Sequence, residues 1–150
     1  MSKLFRLLTC STLLLLLPLA VCAQEKAGGS TPDWKLIDEN PGTTFSYDTT
    51  GIVRVEKVMV RVPVRVVYSL QGKKDALEIL NYPAGFSSLA ETRYLYELDC
   101  KKRKMHLLSV AHLESDGKVI KSADLSADSG WEEIPLYSRF DVLADEVCKP

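Results

Sequence analysis

The sequence predicts an α+β fold: an antiparallel sheet of about six short strands, a small middle helix, and a C-terminal helix packed on one face and tethered by a disulfide. Three observations lead there. Runs of period-two alternation are separated by Pro, Gly, Asn and Asp turn signals. The C-terminal segment carries a single apolar stripe at helical spacing. Cys100 closes a strand-like run, and Cys148 ends the helix-like run.

The pairing of those cysteines follows from compartment. Met1 to Ala23 has a positive start at Lys3 and Arg6, an apolar stretch from Leu7 to Val21, and small residues at Val21 and Ala23, the three parts of a secretory signal. Cleavage there starts the mature chain at Gln24 and removes Cys10 and Cys22, leaving two cysteines in an oxidising environment, where disulfides persist. A second reading stays open. Leu19-Ala20-Val21-Cys22 resembles the lipobox of bacterial lipoproteins, which would make Cys22 a lipid-bearing first residue, although Val21 is a poor match just before the cysteine. Both readings place the protein outside the cytoplasm, in the periplasm or at the cell surface.

After the export segment, residues 24–32 form a flexible tether by composition, and residues 33–150 form one domain. Trp34 to Asp38 and Thr44 to Tyr47 read as strands around the turn Asn40-Pro41-Gly42. The clearest strand runs from Val58 to Ser69, with Val60, Val62, Val64 and Val66 on one face and Arg61, Pro63 and Arg65 on the other. Pro63 lacks a ladder N–H, so the strand is expected to be an edge or to break there. Lys73 to Leu80 reads as the middle helix, ended by Tyr82-Pro83-Ala84-Gly85. Glu91 to Cys100 returns to period two, with Tyr94, Tyr96, Leu98 and Cys100 sharing a face. Met105 to Glu114 and Lys118 to Ala123 flank the hairpin signal Asp116-Gly117, and Trp131 to Ile134 is a last short strand. Ser138 is a good N-cap with Asp141 three residues on, and Phe140, Leu143, Ala144 and Val147 follow as the stripe. Cys148 borders that stripe, so the face that packs on the sheet carries the thiol. Closing a 48-residue loop, from Cys100 to Cys148, is worth roughly 4 kcal/mol in the chain-entropy account.

Composition excludes several classes of function. Loss of Lys3 and Arg6 with the signal leaves 17 basic against 20 acidic residues, which takes the formal net charge from −1 to −3. That is no footprint for nucleic acid. His106 and His112, the only histidines, are six residues apart on one strand. They are expected to share a face about 20 Å apart at about 3.3 Å per residue, too far for one metal. No C-x-x-C pair, nucleophile elbow, P-loop or dinucleotide fingerprint is present, so no catalytic residue, metal or cofactor is predicted. The one local charge concentration is the turn Lys101-Lys102-Arg103-Lys104. It reads either as a dock for a sulfated glycan, an anionic lipid head or an acidic protein segment, or as a solvated hairpin turn. Arg61 and Arg65 would enlarge a patch there if their strand lies alongside.

The order of features is also informative. A tryptophan strand, Tyr47-Asp48, Gly51-Ile52-Val53-Arg54, a valine-rich strand ending in Tyr68-Ser69, Tyr96-Glu97-Leu98-Asp99-Cys100, Asp116-Gly117-Lys118-Val119, Trp131 and a helix ending in Cys148 follow one another. Over Trp34 to Cys148 this series resembles the surface-adhesin protein E-like family of small exported bacterial proteins. The resemblance implies a curved sheet whose concave side holds the C-terminal helix by a disulfide at Cys100 and Cys148. It implies no enzyme activity, and a binding or adhesin-like role at the envelope or cell surface, since the family's namesake binds host matrix and serum proteins. The fold does not carry that activity with it, and a periplasmic structural or accessory protein without a host ligand is the alternative. Two positions depart from the family pattern: Pro63 replaces an aromatic, and Pro135-Leu136-Tyr137-Ser138 replaces a Pro-Gly-Ser lead into the last helix.

Overall fold

The computed structural model describes residues 31–149. Met1 to Ala23, read above as an export segment, with Cys10 and Cys22, most of the predicted tether and Pro150 lie outside the described residues. Among the described residues, no helix is long and apolar enough to cross a membrane.

Among the described residues, eight strands and two α-helices follow one another: β1 (Trp34–Glu39), β2 (Thr43–Asp48), β3 (Val53–Glu56), β4 (Met59–Tyr68), α1 (Leu70–Ile79), β5 (Glu91–Asp99), β6 (Lys104–Leu113), β7 (Val119–Asp124), β8 (Trp131–Glu133) and α2 (Arg139–Val147). They form one open antiparallel sheet, six positions wide, in the order β1-β2-β4-β5-β6-β7. The two further strands extend occupied positions. β3 pairs with residues 59–61 of β4 where β2 leaves off, and β8 pairs with residues 104–106 of β6 beyond the end of β7.

The alternation along β4 divides the two faces of the sheet. Val60, Val62, Val64 and Val66 are buried on one side, against Phe45, Tyr47, Leu98 and the helix residues Leu143, Ala144 and Val147. Full burial of a residue such as Leu143 is worth about 1.5–3 kcal/mol over leaving it exposed. Phe140 completes the stripe, edge-on to Phe45 at 5.3 Å and to Tyr96 at 4.9 Å. The disulfide joins these two packed surfaces, with Cys100 and Cys148 at S–S 2.05 Å and Cα–Cα 5.5 Å.

Three local expectations are corrected. β4 is neither an edge nor broken: Pro63 falls between the stretch paired with β2 (64–68) and that paired with β3 (59–61). The connection between β2 and β3 packs against its ring, since a Cβ on Gly51 would meet Pro63 Cγ at 2.6 Å. Helix α1 starts at Leu70, three residues before Lys73, because Ser69 caps it by accepting from the Gly72 N–H at 3.1 Å. The histidines lie on opposite faces. Leu108 is an extra residue between the pairs Leu95–Ser109 and Tyr96–Leu107, and this bulge shifts the alternation of β6 by one. His106 therefore lies opposite Glu97 on the outer face, and His112 opposite the buried Thr92 on the helix-bearing face.

Candidate functional site

The basic turn divides between the two faces of the sheet. Asp99 shapes it by accepting from the backbone N–H groups of Lys101 and Lys102 at 3.0 and 2.9 Å. Arg103, with a left-handed φ of 54°, turns toward the helix. Its guanidinium donates to Asp145 at 2.9 Å and pairs with Asp141. Lys101, Lys102 and Lys104 instead line a recess of about 520 Å³ on the outer face, together with Glu97, Asp99 and Trp131. Lys104 pairs with Glu133 at 3.0 Å and Lys102 approaches Asp99 at 3.8 Å, while Lys101 makes no ion pair among the described residues. The recess thus presents cations, carboxylates and an aromatic edge together.

The outward arginines of β4 do not enlarge it. Arg61 donates to Glu97 at 3.0 Å, which neutralises both groups. Arg65, four residues and about 13 Å further along the strand, stacks its guanidinium 4.3 Å from the centroid of the Trp34 ring. Burial lowers the Arg65 pKa from its ordinary value, against the opposing pull of Glu91.

A second concavity lies on the helix-bearing face, at the end of the sheet away from the disulfide. It is a cleft of about 380 Å³ between α1 and the start of α2. Val66, Tyr68, Tyr94 and His112 are among its lining residues, with Ile79, Leu80 and Asp75 of the α1 segment and Arg139 of α2. A polar chain links this wall: Tyr68 Oη lies 3.0 Å from Thr92 Oγ1, which lies 2.9 Å from His112 Nδ1. Burial, helped by the nearby Lys121 cation, lowers the His112 pKa and favours the neutral imidazole. Burial, with Tyr68 and Tyr96 adjacent, pushes the Tyr94 phenol well above its usual range. Sequence reasoning missed this cleft. Its residues come from six elements (β2, β4, α1, β5, β6 and α2), and the bulge in β6 sets the face on which His112 lies.

Among the described residues, no group of three or more His, Cys, Asp or Glu side chains is placed to hold a metal ion. The fold that carries the two concavities is an open antiparallel sheet with one stapled helix. The family described as Surface-adhesin protein E matches residues 34–149, and this chain belongs to that family. The matched interval is the one over which the sequence features run. The chain is also similar to protein E of Haemophilus influenzae in a crystal form II structure, with 13% identity and a TM-score of 0.49, covering 79% of this chain and 96% of that one. No curated protein matches the sequence.

Proposed function

We propose that this is a non-enzymatic exported protein of the cell envelope or surface, acting as a binding module for an extracellular or envelope macromolecule. Membership of the surface-adhesin family supports the class of function. The observation that carries the reading is the outer-face recess, where exposed Lys101, Lys102 and Trp131 and half-buried Lys104, paired with Glu133, stand beside Glu97 and Asp99. Such a mixed surface, built on paired strands, can meet the polar and charged groups of a large partner. Arg103 belongs to the scaffold, since its charge is spent on α2. Export rests on Met1 to Ala23, with the mature chain starting at Gln24.

Surface labelling of intact cells, followed by fractionation, tests the location. Labelled full-length protein in the outer-surface fraction is the expected result. Protein found only inside the outer membrane favours the structural or accessory role. N-terminal analysis separates Gln24 from a lipidated Cys22.

A further inference from the structure

We propose that the cleft between α1 and α2 binds a small monocarboxylate with an apolar body, its anionic group held by Arg139. Four observations meet there. The first concerns the arginines as a set. Arg54 donates to the Val147 carbonyl, Arg61 to Glu97, Arg65 to Ser46, Arg93 to Glu91 and Arg103 to Asp145. Arg139 makes no ion pair or side-chain hydrogen bond among the described residues, and its guanidinium lies 4.7 Å from the centroid of the Phe45 ring. Stacking holds the planar fork in place and leaves its N–H donors for a carboxylate, the group that matches them in bidentate fashion.

The second observation is the apolar rim. Ile79 is 84% exposed and Leu80 39% exposed, both at the cleft, and Val66 and Tyr94 line it as well. The third is the polar chain of Tyr68, Thr92 and His112, whose two ends both reach the lining. In either sense of donation it places a phenol hydroxyl and an imidazole at the wall, where a ligand's polar group can meet them. The fourth is Asp75, which lines the cleft from α1 and, among the described residues, accepts only from Gln71, at 2.7 Å. A carboxylate there disfavours a second negative charge, which selects a monoanion over a dianion. At about 380 Å³ the cleft lies within the range of small-molecule sites, and it is separate from the recess at the basic turn.

The test is calorimetry and amide chemical-shift mapping on the purified, disulfide-bonded protein. Three probes are used: 2-naphthaleneacetate, the matching neutral alcohol, and a naphthalene dicarboxylate. Saturable binding of the monocarboxylate with Kd below ~1 mM is expected, with shifts centred on Tyr68, Tyr94 and His112. The alcohol, the dicarboxylate and the Arg139→Gln variant should each bind about tenfold or more weakly, the worth of a charge-assisted hydrogen bond. Ile79→Asp, a change at an exposed position, should weaken the monocarboxylate in the same way without unfolding the protein. Three results would overturn the proposal: no saturable binding below ~1 mM, equal affinity in Arg139→Gln, or shifts centred on Lys101 to Lys104.

Discussion

Arg103 connects the turn after the stapled cysteine to two successive helical turns of α2, through Asp141 and Asp145. Asp141 has a second role: it accepts from the Tyr137 N–H at 2.9 Å while its own N–H donates to Ser138 Oγ at 3.2 Å. The two bonds form a capping arrangement in which Tyr137 sits at a φ of 61°. A Gly-containing lead would take that conformation at no steric cost. Arg103→Gln should lower stability by about 1 kcal/mol, a value set by the partial exposure of the network, as read from denaturant midpoints. The pH dependence has a definite sign. The Tyr137 N–H and the Arg103 guanidinium hold the Asp141 carboxyl below its unfolded value of 3.8. Its contribution is complete above that pH and disappears as the pH falls through the lower folded value. Asp141→Asn should therefore be less stable than the wild type at neutral pH, with the gap closing in strong acid, as followed by thermal unfolding across a pH series.

At the scale of elements, close backbone approach decides where α1 sits. The Gly42 carbonyl accepts from the Ser69 N–H at 2.9 Å, and a Cβ on Gly72 would stand 1.8 Å from that same oxygen. Backbone cannot yield as a side-chain tip does. Gly72→Ala should cost about 1–3 kcal/mol, the range for overpacking, and far-UV and hydrogen-exchange measurements should place the loss in α1 and the β1–β2 turn. This contact also explains what the sequence showed and what it hid. The strands of β4 and β5 and the stripe of α2 were legible because their alternation is clean and one side is buried. The start of α1 was not, because Gly72 reads as a helix weakener until its neighbour is known. β3 was not assigned as a strand from the sequence; all four of its residues are exposed, so no buried face marks it. The bulge at Leu108 was hidden because Met105 to Leu113 is apolar on both parities, so a one-residue shift leaves the pattern unchanged. That bulge decides which histidine lines the cleft, so the cleft was hidden with it.

At the scale of the molecule, α2 is held at both ends and along its length. The disulfide fixes its C-terminal cap, Arg54 of β3 donates to the carbonyls of Val147 and Lys149 there, and Lys35 of β1 reaches Glu146 at 2.6 Å. Replacing both cysteines, Cys100→Ser with Cys148→Ser, should destabilise by up to ~4 kcal/mol in the chain-entropy account. The core stripe should still seat the helix in the folded fraction, as near-UV circular dichroism would report. With α2 fixed on one face, the opposite face is the one the proposed partner would meet, and the basic turn divides between the two: Arg103 inward, the lysines outward. The most direct measurement is a paired comparison on immobilised heparin and matrix proteins, with thermal unfolding run on the same preparations. The triple variant Lys101→Gln, Lys102→Gln, Lys104→Gln should lose binding with its unfolding temperature little changed, whereas Arg103→Gln should unfold earlier and still bind. Binding that survives loss of the three lysines but disappears with Arg103 would contradict the account.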